Sequence, residues 1–182
     1  MAKQFEALDA RLTDFIHRQH VFFVASATAH SRINLSPKGL DCLRVVGLNE
    51  VLYLDQTGSG SETSAHVKAD GRLTIMFCAF EGAPMILRLY GRGRSVLRGE
   101  LEYAALLATH FDGREPHGAR QIVSLAFDLV QTSCGFAVPL MDYVEDRPSL
   151  TRWSEAKSEA ELAEYRAHKN ALSIDGLPTG MR

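Results

Sequence analysis

Between residues 53 and 67 the chain reads YLDQTGSGSETSAHV. An apolar run stops at Asp55, four small residues follow (Gly58, Ser59, Gly60, Ser61), and helix-favouring residues begin at Glu62. A strand, a small-residue turn and a helix start can together hold an anion. The first N–H groups of a helix have no intrahelical acceptor, and the aligned peptide dipoles make that end partly positive. Gly58 and Gly60 allow close backbone approach, while Thr57, Ser61 and Thr63 add hydroxyl donors. The plainer reading is that Ser59 or Ser61 caps the helix. Glu62 opposes an anion unless its carboxylate points away. No Gly-Lys-Ser/Thr follows, so the turn is not a Walker-type phosphate loop. The third glycine and the βαβ unit of a dinucleotide site are also missing.

An anion needs positive partners. Lys38 sits in the turn-like Ser36-Pro37-Lys38-Gly39, and Arg44 and Arg88 each interrupt an otherwise apolar run, CLRVVGL and MILRLYG. A lone arginine in a strand usually faces solvent, but two beside a hydroxyl-rich turn can converge on one anion. Of the seven histidines, only His17 and His20 have a loose ligand spacing, and no acidic group is arranged with them. His66 faces either a ligand or solvent. No G-x-S-x-G elbow supports serine catalysis, and Asp55 and Glu81 read as turn residues. Trp153 either packs a C-terminal helix or stacks on a planar ligand.

The elements that must position these groups follow from periodicity. Residues 4–18 have helical spacing of Phe5, Leu8, Leu12, Phe15 and Ile16. Strands are expected at 21–27, 42–48, 51–55, 72–80, 85–97 and 120–133, with helices after the glycine–serine turn and at 100–111. Gly91 and Gly93 inside the fifth strand suggest a bulge or a close backbone approach. Beyond Pro148 the sequence is polar and helix-favouring. Six strands joined mainly by short turns suit an antiparallel barrel with peripheral helices, not a parallel Rossmann sheet.

The chain has 182 residues, 46% apolar and 23% charged, with a net charge of −2. Those values suit one globular domain with a helical appendage and argue against nucleic acid as a partner. No apolar run is long enough to span a bilayer and the N-terminus is unlike a signal peptide. Cys42, Cys78 and Cys134 are widely spaced without a C-x-x-C pair, as expected for free thiols in a reducing cytoplasm.

The segments FFVASA…INLSPKG, VLYLDQTGSGSETSAHV, GRLTIMFCAFEGAPMILRLYGRGR and SCGFAVP, taken in order, resemble the pyridoxamine 5′-phosphate oxidase-like family of flavin-binding split barrels. The resemblance spans about residues 20–140. It implies a mainly β, α+β fold: a six-stranded antiparallel Greek-key barrel over residues 1–140 including the N-terminal helix, with 141–182 as a C-terminal helical extension. It also implies a homodimer with FMN in clefts between subunits and flavin-dependent oxidoreductase activity on a small molecule. The resemblance implies Arg44, Thr57, Ser61, Thr63 and Arg88 as FMN-binding residues, and the residue reading adds Lys38 and the backbone at Gly58 and Gly60; no metal site is expected. Two departures stand out. Where the vitamin B6 enzymes carry Ser-Arg-Lys at the cradle, this chain has Ser61, Glu62 and Thr63, and its tail SIDGLPTGMR lacks their substrate-binding Arg-Leu-x-Pro. These departures point away from pyridoxamine phosphate itself. They leave open a module that binds flavin, deazaflavin or haem (with His66 or His30 as ligand) without turnover, or a dimer with a vestigial cleft.

Overall fold

All six expected strands form, and two more join them. The structure, a computed structural model, describes residues 2–181. In chain order its elements are β1 (Lys3–Phe5), α1 (Ala10–His17), β2 (Phe22–Ser26), β3 (Asn34–Lys38), β4 (Leu43–Gly47), β5 (Glu50–Gln56), α2 (Glu62–Ala69), β6 (Arg72–Cys78), β7 (Ile86–Leu97), α3 (Leu101–His110), β8 (Ala119–Ser133), α4 (Ser149–Glu155) and α5 (Glu159–Lys169). The strands make one antiparallel sheet in the order β3-β2-β6-β7-β8-β5-β4, with β1 added along β8. No helix among the described residues is long and apolar enough to cross a membrane.

The two extra strands correct the reading of their segments. The helix expected from residue 4 starts at Ala10, because the Asp9 carboxylate accepts the Leu12 N–H at 2.7 Å and caps it there. Lys3–Phe5 instead pairs with Val130–Thr132, the part of β8 that β5 is too short to cover. Residues 34–38, expected to hold a turn, pair with β2 in full register. Pro37 is tolerated because β3 ends the sheet and one of its edges has no strand partner. The turn comes later, at Leu40 and Asp41, both with positive φ (63° and 50°).

The sheet curls so that its distant strands meet. Phe22 of β2 packs on Tyr53 of β5 with ring centroids 5.8 Å apart, inside a core that also takes Leu12, Phe15 and Ile16 from α1. The opposite face of β5 and β8 supplies Leu52, Leu54 and Ile122 to a second core under Tyr103 of α3. Two-sided burial explains why VLYLD reads as a continuous apolar run instead of alternating. The expected irregularity in β7 is present. The register shifts between Tyr90 and Gly91, where a Cβ on Gly91 would stand 2.1 Å from the Ala126 carbonyl oxygen. At Gly93 a Cβ would collide with Leu73 and Val67, so the missing side chain lets α2 sit close on the sheet.

The C-terminal region forms two helices separated by a capping box, in which Ser158 and Glu161 exchange hydrogen bonds. Trp153 of α4 packs edge-on against Tyr165 of α5 at 5.1 Å. This contact joins the two helices. After α5 the chain folds back across the start of α2.

Candidate functional site

The centre of the site is Asp55, which the sequence presented as a turn residue. It ends the apolar run of β5, is 4% exposed, and lies opposite Gln121 in β8. Its Oδ1 accepts from Lys38 Nζ at 2.7 Å, and its Oδ2 accepts from Arg120 Nε and Gln121 Nε2, each at 2.8 Å. Burial alone would raise this carboxyl's pKa. The charges of Arg120 and Lys38, with hydrogen bonds from Lys38 and Gln121, outweigh it and hold the carboxyl well below the usual carboxylate range. Two cations on one carboxylate leave the cluster with a net positive charge.

That cluster forms one wall of a cavity of about 330 Å³. Its wall also includes Asn34 and Ser36 of β3 and the loop from Gly58 to Thr63. Ser61, at the start of α2, makes no side-chain cap. Its hydroxyl instead lies 3.3 Å from the Met181 sulfur. The N–H groups of Ser59 and Ser61 have no partner among the described residues, although Ser61 is only 3% exposed. Ser59 is exposed, but a buried backbone donor such as that of Ser61 is rarely left unpaired, so this wall suits a ligand rich in acceptors.

The carbonyls of the same loop are held by side chains. The Gly58 carbonyl accepts from Asn170 Nδ2 at 3.0 Å and the Gly60 carbonyl from Arg120 at 2.8 Å. Thr57 is fully buried, its hydroxyl donating to the Gly118 carbonyl and accepting from Arg166. Burial, with Arg98 and Arg120 nearby, lowers the pKa of Arg166. Both oxygens of Glu62 accept the Ile174 N–H at 3.1 Å, so its charge is drawn toward the tail.

The sequence-predicted residues therefore separate into three groups. Lys38, Gly58, Gly60, Ser61 and Thr63 line the cavity. Thr57 stands behind it, and the Thr63 hydroxyl takes the Asn34 amide. Arg44 and Arg88 do not converge there within the chain. Arg44 donates to the Asp41 carbonyl and carboxylate and the His110 carbonyl, and lies over the Phe111 ring. It braces the Leu40–Asp41 turn. Arg88 lies on β7 and donates to Ser133 Oγ at 3.2 Å. His66 is buried, with Nδ1 3.0 Å from Ser26 Oγ, and is not among the lining residues. His30 is exposed before β3.

Asp55, Arg120, Gln121, Arg166 and Asn170 were missed as site residues. The available signal was a charge at the end of one apolar strand and another at the start of a second, which becomes a pair only once β5 is placed beside β8. A second cavity, about 750 Å³, lies between the end of α1 and the β6–β7 turn. Phe15, Phe80, Pro84 and Met85 line it, with the His20 and Tyr143 rings stacked at 3.7 Å. Arg11 and Arg18 also line it, but most of its wall is apolar, which suits a flat apolar group.

Comparison with known proteins agrees with this architecture. Residues 8–134 match the family described as pyridoxamine 5′-phosphate oxidase. The pyridoxamine 5′-phosphate oxidase family protein ustO of Aspergillus flavus is 38% identical over 190 residues, covering 96% of this chain and 76% of its own. Among solved structures, HupZ of Group A Streptococcus is similar at 20% identity and a TM-score of 0.54, over 67% of this chain and 91% of HupZ. A Lactobacillus delbrueckii protein described as a candidate pyridoxamine 5′-phosphate oxidase is similar at 16% identity and a TM-score of 0.53, over 69% of this chain and 94% of its own. At those identities the two structures attest the fold. The family match and the relative together establish that this chain belongs to the pyridoxamine 5′-phosphate oxidase family.

Proposed function

We propose that the protein binds FMN, with the phosphate in the cavity beside the 57–61 loop, and acts as a flavin-dependent oxidoreductase on a small molecule. The observation that carries this reading is the pair of unpartnered Ser59 and Ser61 amides in a loop that lines a cavity shared with Lys38. A phosphate monoester is dianionic and acceptor-rich, so it complements two N–H groups, the first turn of α2 and an ammonium. Bound FMN supplies the redox chemistry, and the protein contributes binding, orientation and electrostatics. The Glu62 carboxylate, although on a cavity-lining residue, is held toward the tail by the Ile174 N–H.

A cavity of about 330 Å³ lies at the low end of the roughly 300–1,000 Å³ typical of ligand sites. It can take the phosphate and part of the ribityl chain, leaving the flavin ring to be enclosed by a second surface. A second copy of the chain fits that need. The edge strand β3 leaves Leu35 62% exposed beside Ile33 at 78%, and the segment after β8 exposes Phe136 and Val144. Large apolar side chains exposed in this way suit an interaction face. The reading is thus a homodimer with FMN at its interface. Three free cysteines are consistent with a cytoplasmic setting.

The test is reconstitution with FMN followed by gel filtration. Flavin absorbance co-eluting with protein at dimer size is the expected result. Colourless protein at any FMN concentration contradicts the reading.

A further inference from the structure

Every peptide bond in the described chain is trans, so each carbonyl points opposite to the N–H of the same peptide. The Gly58 carbonyl shares its peptide with the Ser59 N–H, and the Gly60 carbonyl with the Ser61 N–H. Asn170 and Arg120, the latter itself a cavity-lining residue, bind those two carbonyls. The corresponding N–H groups point away from these two anchors, and Ser59 and Ser61 both line the cavity.

The two anchors are themselves fixed. Asn170 is fully buried, and its Oδ1 accepts from Arg120 at 2.9 Å. Its backbone carbonyl accepts from Thr179 Oγ1 at 2.6 Å and its N–H donates to the Arg166 carbonyl at 2.8 Å. Arg120 is held by Asp55 through Nε. With such support the loop cannot easily rotate its peptides, which is the condition for a preorganised anion site. Asn170 lies beyond residues 8–134, the span matched by the family.

We infer that Asn170 and Arg120 are positioning residues that aim the Ser59 and Ser61 amides at the FMN phosphate, so that the C-terminal segment completes a cradle begun by the family domain; this rests on the FMN reading above. A purely structural role would stabilise the fold without distinguishing ligands that carry a phosphate from those that lack one.

The experiment compares dissociation constants for FMN and for riboflavin, which lacks the phosphate, by flavin fluorescence. It uses the full chain and its Asn170→Ala and Arg120→Lys variants, with circular dichroism as the check on folding. Unmodified protein should prefer FMN, and each variant should bind FMN about tenfold more weakly, with riboflavin affinity held within about twofold. An unchanged FMN-to-riboflavin ratio, or parallel loss of both, overturns the inference and leaves the FMN reading standing. Equal affinity of the unmodified protein for both flavins overturns the FMN reading and the inference with it. Should the variants not fold, amide NMR of the unmodified protein decides. Downfield shifts of the Ser59 and Ser61 N–H signals on adding FMN support the inference, and unmoved signals refute it.

Discussion

Arg120 Nε lies 2.8 Å from Asp55 Oδ2, and both side chains are 4% exposed. This pair joins the first residues of β8 to the last of β5 under the site loop. Lys38 brings β3 to the same carboxylate. One buried anion thus ties together the sheet end, the loop and the cavity wall.

Asp55→Asn should therefore cost about 3–5 kcal/mol of stability in denaturant titration, because it strands two cations that were paired in low dielectric. The pH dependence has a definite sign. The native carboxyl titrates below the unfolded value of about 3.9, so its contribution is full above that value and is lost as pH falls through the native pKa. Acid titration should show the unmodified protein losing stability below about pH 4, and Asp55→Asn a shallower loss. Identical acid profiles would remove Asp55 from this role.

Lys38 and Arg44 should differ in what they affect. Lys38→Met should weaken FMN binding by about 1.5–3 kcal/mol, the worth of a charge-assisted hydrogen bond. Arg44→Ala should leave FMN affinity unchanged and cost about 0.5–1.5 kcal/mol of stability through the Leu40–Asp41 turn. Calorimetric titration and thermal denaturation of both variants check the contrast.

The three cysteines should differ in reactivity. Burial pushes the Cys42 thiol up to about 12 and also raises that of Cys78, while Cys134 is exposed. Since the thiolate is the reactive form, native protein treated with iodoacetamide at neutral pH should be labelled first at Cys134. Peptide mass spectrometry over time reads the order.

Gly91→Ala should be severely destabilising, because the added Cβ meets the backbone of β8 rather than a side chain that can move. Overpacking typically costs about 1–3 kcal/mol, and a backbone clash at the bulge belongs at the upper end or beyond. Chemical denaturation, or recovery of soluble protein, measures it.

Much of the fold was legible because the strands that build the barrel are strongly apolar and the breaks between them carry glycine, proline or charge. Residues 3–5 and 34–38 were misread for a physical reason. Short edge strands gain their structure from the partner strand, and neither Lys3-Gln4-Phe5 nor Asn34 to Lys38 has an apolar pattern of its own. The site divides the same way. Gly58, Gly60 and Ser61 announce a loop locally, whereas Asp55, Arg120 and Asn170 meet across separations of 50 and 65 residues. Arg44 and Arg88 looked like anion ligands because a lone charge in a strand gives no hint of its direction. In the fold Arg44 reaches a turn and Arg88 reaches Ser133.

The most direct test of the central claim is a crystal structure of the protein with FMN. The phosphate oxygens should lie about 3 Å from the backbone nitrogens of Ser59 and Ser61 and from Lys38 Nζ. A phosphate placed elsewhere, for example in the apolar cavity beside His20 and Tyr143, would contradict the account.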